Sequence, residues 1–321
     1  LSGLSLIFTQ QIIAMKNFRN TSIFFLALAV SVVVSSCSKD RIEERDDLNE
    51  YESPNAYLDS KKPKEQDFLI DSSGNGPIIG EQNTHIWGSK NCLKLPNGDT
   101  IAFPFNVKLV ELYTPKDMIY YRMPTVSDNR ILETAGEIRL RAVKNGVDLM
   151  LSPGCPFKVS MPNASPQSNY MRVFYGNNNG SFVNWTDQLS TFGITQLQNP
   201  IWDIDTIGYT QLIERLGWIN CDRLAGATSG ATLTFDSEVD DLTNVALFAY
   251  LPATKTVMQA YNQTIGIIPP GSAAKIIGIA QDSGGNLYSF YQELTVSGSQ
   301  TVEVTLSQTS DEALTALLDA L

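Results

Sequence analysis

One histidine, His85, serves a chain of 321 residues. That scarcity excludes a histidine-rich metal site and an H-E-x-x-H protease, which need paired imidazoles. A Ser–His–Asp triad would have to use His85, and no G-x-S-x-G elbow is present to carry the serine. His85 therefore reads as a structural or surface residue. Neither a P-loop nor a G-x-G-x-x-G turn occurs, so no nucleotide signature is present. Cysteine is sparse, at positions 37, 92, 155 and 221, with no C-x-x-C pair for zinc or thioredoxin-type chemistry. Basic residues are outnumbered, 23 Lys and Arg against 34 Asp and Glu, for a net charge of −11. Acidity of that size argues against nucleic acid and against electrostatic docking on anionic lipid. Long hydrophobic runs are lacking as well. The apolar run at residues 23–34 falls short of the about 20 residues that a membrane span needs.

That run fits the apolar core of a secretory signal, which needs only about 7–15 residues. Lys16 and Arg19 precede it, and Val34-Ser35-Ser36-Cys37 closes it. This order is that of a bacterial lipoprotein signal, with cleavage before Cys37 and a diacylglycerol on its thiol. Cys37 is thus the expected lipidation site and the membrane anchor. Met15 is the expected start of translation, with the residues before it upstream readthrough, and residues 1–36 are set aside from the fold. Behind Cys37 come Ser38-Lys39-Asp40, Glu43, Glu44, Asp46 and Asp47. This stretch resembles the acidic segment of Bacteroidetes surface lipoproteins. The resemblance implies an outer-membrane lipoprotein exposed at the cell surface.

Residues 37–78 read as a flexible acidic tether, rich in charge, Pro, Gly and Ser and poor in apolar residues. From about residue 79 the pattern becomes short strands and turns. Asn97-Gly98 and Asn145-Gly146 are hairpin signals, because both residue types accept positive φ. Residues 107–112 and 118–123 read as strands. Over 137–143, Ile138, Leu140 and Ala142 share one face and Glu137, Arg139 and Arg141 the other, as in a half-buried strand. Phe157, Val159 and Met161 alternate with Lys158 and Ser160. In the connector at 187–229, Tyr209, Leu212, Ile213 and Leu216 fall on one helical face, with Gly217 as the stop. Alternating and apolar runs resume over 231–306. Thr309 and Glu312 form a capping box for a C-terminal helix whose Leu314, Leu317, Leu318 and Leu321 should dock on the preceding strands. The expected fold is all-β, with two antiparallel β-sandwich domains at 79–186 and 230–321, a short interdomain helix and a short C-terminal helix.

Two passages also resemble recurring features of Bacteroidetes lipoproteins. The first runs from Met123-Pro124-Thr125 through Glu133-Thr134-Ala135-Gly136-Glu137 to Gly146, then Phe174-Tyr175-Gly176 and Trp185. The second is Leu216-Gly217-Trp218-Ile219-Asn220-Cys221-Asp222-Arg223. The first is also faintly similar to the β-sandwich of ankyrins and netrin receptors. These likenesses imply extracytoplasmic β-sandwich proteins and carry over no catalytic residue.

The remaining chemistry is sparse. An exported chain permits disulfides. Cys92 and Cys155, in one expected domain, are the favoured pair, with three buried free thiols after acylation of Cys37 as the alternative. Asp236, Glu238, Asp240 and Asp241 could offer oxygen ligands to calcium, or form a solvated acidic turn. Trp185, Trp202 and Trp218 could stack on sugars if exposed, or pack in the core. Trp218 and Cys221 are expected to wedge between the two domains. Asp99-Thr100-Ile101 and Asp205-Thr206-Ile207 resemble the O-glycosylation motif of Bacteroidetes exported proteins. The expectation is a non-catalytic surface lipoprotein with a binding or envelope-structural role and no cofactor. A glycan-binding component of a carbohydrate-uptake system is the alternative. Behind it stands a carboxylate-dependent glycoside hydrolase, which needs only two facing acids.

Overall fold

The apolar alternation seen in the sequence organises the first half into eight main strands. In chain order these are β1 (Gln66–Ile70), β2 (Phe105–Leu112), β3 (Arg130–Lys144), β4 (Phe157–Pro162), β5 (Arg172–Asn178), β6 (Val183–Thr186), β7 (Gly208–Ile213) and β8 (Gly217–Leu224). This computed structural model describes residues 48–73, 76–162, 168–178, 183–192, 200–225 and 229–321. The signal segment, Cys37 and the acidic residues behind it lie outside the described residues.

One sheet runs in the order β1, β2, β3, β8, β5, β6, every pair antiparallel. A second runs Asp203–Ile204, β7, β4, His85–Trp87, Ile78–Ile79. Phe105, Val107 and Leu109 of β2 share a buried cluster with Val159 and Met161 of β4 and Tyr209 and Ile213 of β7. The period-2 alternation of side chains sends these residues to one face of each strand. Asn145 and Gly146 take φ of 50° and 81° at the end of β3, the positive values that an Asn-Gly turn adopts readily. The Cys92–Cys155 disulfide forms in this half, and Cys221 is a buried free thiol.

The second half contains β9 (Ala231–Asp236), β10 (Ala246–Leu251), β11 (Ser272–Gln281), β12 (Leu287–Val296) and β13 (Gln300–Glu303). Thr256–Gln259, β10, β11, β12 and Ser307–Thr309 form an antiparallel sheet. Thr264–Ile268, β9 and β13 form another, in which β9 and β13 run parallel, a departure from the antiparallel expectation. The all-β class holds, with three α-helices among the described residues.

Those helices are α1 (Asn55–Lys61), α2 (Pro115–Tyr121) and α3 (Asp311–Asp319). They line a third buried cluster. It joins the outer faces of β2, β5 and β6 (Val110, Leu112, Phe174, Trp185) to Phe248, Tyr250, Ile277 and Ile279 of β10 and β11. Leu58, Ile119, Leu314 and Leu318 from the helices fill it. Ion pairs tie the helices together: Arg122 to Asp59 at 2.8 Å, Lys61 to Asp311, and Lys116 to Asp319. Because of this shared cluster the two halves belong to one compact unit, residues 48–321.

Four expectations are corrected. Much of the tether is structure: β1 pairs with β2, Leu58 is fully buried, and Tyr51 donates a hydrogen bond to Asp240 at 2.7 Å. Tyr51, Leu58, Phe68 and Ile70 pack against the body, whereas Leu69 stays exposed. The connector supplies β7 and β8 rather than a helix, because β4 and β3 offer open edges to pair. Residues 115–121 are helical instead of extended: Thr114 caps the helix by accepting from Asp117 N at 3.2 Å, and Pro115 opens it. At the C-terminus Ser310, not Thr309, is the cap, accepting from Ala313 N at 3.1 Å.

Candidate functional site

Sheet geometry concentrates polar groups at one place on β3 and β8. Between Asn220 and Asp222 the register with β3 shifts, so that Ala135 and Gly136 together oppose Cys221. Such a bulge adds one residue to one strand. Thr134 and Glu137, three apart, would point to opposite faces of a regular strand; the bulge turns them to the same one. Gly136 makes it possible with φ of 132°, and a Cβ there would sit 2.2 Å from the Tyr113 ring. Asn220 and Asp222 project to that same face.

The resulting cluster is sealed. Glu137, Asn220 and Asp222 are each fully buried. Asn220 Nδ2 donates to Asp222 Oδ2 at 2.6 Å and approaches Glu137 Oε1 at 3.5 Å, while Thr134 Oγ1 donates to Asn220 Oδ1 at 3.1 Å. Glu137 Oε2 and Asp222 Oδ1 have no partner among the described residues. Burial, reinforced by Asp222, pushes the Glu137 carboxyl well above the usual carboxylate range. Burial likewise raises Asp222. Cys221, facing the other way into the first-half core, is also held as a thiol by burial.

Thr134 links this cluster to the surface. It lines a cleft of about 270 Å³ together with Glu133, Ala135, Ser168, Met171, Tyr209 and the turn Pro252, Ala253, Thr254, Lys255. The cleft thus lies between the halves. Thr134 N donates to Thr254 O at 3.1 Å, and Thr256 Oγ1 donates to Leu132 O at 2.6 Å, which fixes the turn against β3. Glu133 accepts from Arg223 Nη2 at 2.6 Å and from the Ser168 hydroxyl. Tyr209 OH donates to Ser168 O at 2.9 Å. The Lys255 ammonium makes no hydrogen bond or ion pair with a described residue. A second hollow, over Pro252, Ala273, Ala274, Lys275, Glu293, Leu294 and Thr295, is more open to solvent.

The residues singled out in the sequence are dispersed. His85 sits at the start of its strand, its Nε2 2.9 Å from Asn83 Oδ1. The four acids at 236–241 do not converge. Asp240 is buried and accepts from Tyr51, from Asn49 Nδ2 at 3.0 Å and from Leu306 N at 2.8 Å. Asp241 instead caps a short 3₁₀ turn through Thr243 N. No group of three or more His, Cys, Asp or Glu suited to a metal forms among the described residues. Trp185 and Trp202 are buried, and Trp218 is half-buried, its ring 5.8 Å from that of Tyr121 and 5.7 Å from the Arg139 guanidinium. The expected wedge is therefore split. Trp218 packs against the third cluster, and Cys221 belongs to the first-half core. Thr100 and Thr206 are both exposed. No helix of the described residues is long and apolar enough to cross a membrane. The buried cluster of Thr134, Glu137, Asn220 and Asp222 went unrecognised in the sequence; its signal was Gly136 inside an otherwise regular strand. No protein-family model, no curated protein and no solved structure matches the chain.

Proposed function

We propose that the chain is a non-catalytic lipoprotein, anchored in the bacterial outer membrane through Cys37 and exposed at the cell surface, with a binding role centred on the cleft between its halves. The observation that carries the reading is the Cys92–Cys155 disulfide. Disulfides persist in exported proteins and are rare in the reducing cytosol, which agrees with a signal segment ending at Cys37. Burial of Glu137 and Asp222 keeps both from any substrate, and Glu133 at the cleft is paired with Arg223. That arrangement supports binding over carboxylate hydrolysis. Burial of Trp185 and Trp202 removes two of the rings that a glycan-stacking role relied on.

The test is acylation and exposure in the native host. Metabolic labelling with a fatty-acid probe should mark the wild-type chain and not Cys37→Ala, and protease added to intact cells should degrade it. A labelled chain protected from protease would overturn surface exposure. An unlabelled chain would overturn the anchor.

A further inference from the structure

We infer that the cleft between the halves binds a small organic carboxylate, with the anionic head at Lys255 and the apolar part against Ala135, Met171, Pro252 and Ala253. The proposal rests on the reading of the chain as a binding protein and names the ligand class of that same site. Four observations converge on it. The first is size: about 270 Å³ lies just below the roughly 300–1,000 Å³ of pockets for drug-sized molecules, so the ligand is small. Charge is the second. Glu133 and Arg223 neutralise each other at 2.6 Å, and Lys255 leaves the cleft one positive charge on a chain of net −11. Lys255 is the one cation among the described lining residues; half-buried amid that excess of acid it selects a monoanion, and partial burial strengthens the attraction.

The wall chemistry is the third. Ala135, Met171, Pro252 and Ala253 offer an apolar surface that a hydrated inorganic anion could not use, whereas a short hydrocarbon attached to a carboxylate could. Rigidity is the fourth. The turn that carries Lys255 is held by Thr254 Oγ1 to Thr256 Oγ1 at 2.6 Å and by the backbone bond from Thr134, so little ordering remains for the ligand to impose. The hydroxyls of Ser168 and Tyr209 are already engaged with Glu133 and with the Ser168 backbone, which leaves Lys255 as the group with binding capacity to spare.

Titration calorimetry on the full-length chain tests this with butyrate, butyramide and inorganic phosphate. Butyrate should bind with a Kd in the micromolar to millimolar range, and the neutral isostere and phosphate should bind at least about tenfold more weakly. Lys255→Met nearly keeps the length of the side chain and removes its charge. It should weaken butyrate by roughly tenfold or more, since a charge-assisted hydrogen bond is lost. An unchanged urea midpoint would show that this variant still folds. Equal binding by Lys255→Met, butyramide as tight as butyrate, phosphate as tight as butyrate, or no butyrate binding would each overturn the proposal. These results are independent of Cys37 acylation, so failure of the anchor and failure of the carboxylate site are distinguishable.

Discussion

Glu137 and Asp222 are acids held out of reach of water, and the fold bears their desolvation. Burial raises both carboxyls above their unfolded value of about 4. The stability that protonation lends is therefore full below that value and is lost as pH rises toward the folded pKa. The urea midpoint of the wild type should fall between pH 5 and pH 8. Glu137→Gln and Asp222→Asn, which cannot ionise, should flatten that slope; an equally steep slope in both variants would refute the assignment. The depressed carboxyls of Asp59 and Asp311, paired with Lys62, Arg122 and Lys61, act in the opposite sense and outside this window, weakening the fold only as pH falls below about 4. Gly136 is the other residue on which the cluster depends. Gly136→Ala would set a Cβ against the Tyr113 ring at a φ of 132°. It should lower stability by about 3 kcal/mol or more, measured by denaturant unfolding.

Among the elements, α3 has a role out of proportion to its nine residues. A helix so short is marginal alone, and its order comes from the face that it buries. Leu314 and Leu318 enter the cluster that joins the halves, beside Ile277 and Ile279 of β11 and Leu58 of α1. Leu318→Ala should cost about 2–5 kcal/mol, as buried Leu truncations do. Leu317→Ala, on a half-buried position of the same helix, should cost distinctly less. Equal losses measured by chemical denaturation would mean that the helix docks on a different face. α2 shows how local signals compete. Residues 118–123 carry enough apolar character for a strand, yet Thr114 and Pro115 start a helix whose Met118, Ile119 and Tyr120 are all buried.

At the scale of the whole molecule, three buried clusters and one disulfide hold the described residues together. The third cluster draws on both halves, so unfolding of one should remove support from the other. Tryptophan fluorescence, reporting Trp202 in the first-half core and Trp185 between the halves, should change in a single transition coincident with far-UV circular dichroism. Two separated transitions would mean that the halves are thermodynamically independent. The Cys92–Cys155 bridge spans 63 residues of chain. A loop of that length lowers the entropy of the unfolded state by an amount worth about 4 kcal/mol. Reduction, or Cys92→Ser with Cys155→Ser, should lower stability by up to that amount.

Much of the strand content was legible because alternation is a local property. Ile138, Leu140 and Ala142, or Phe157, Val159 and Met161, declare their faces wherever the strand is placed, and Asn145-Gly146 declares its turn. The misreading of residues 209–216 has a definite cause. Residues i and i+4, Tyr209 and Ile213, share a face in a helix and in a strand alike; the discriminating residue, Leu212 at i+3, is 51% exposed. Sequence alone determined the all-β class, the hairpin turn and the core-facing residues of strands such as β3 and β4, but not Tyr209, Ile213 or Cys221 of the same core. Tertiary structure decided which outer faces are covered. Along β2 the face that carries Asn106 and Lys108 into solvent goes on to bury Val110 and Leu112, and along β3 the face of Arg139 and Arg141 ends in the buried Glu137. What covers those ends comes from helices and strands up to about 200 residues away in the chain. Local periodicity holds no record of such a contact, and neither the cleft nor the buried acids could be read before the halves were packed together.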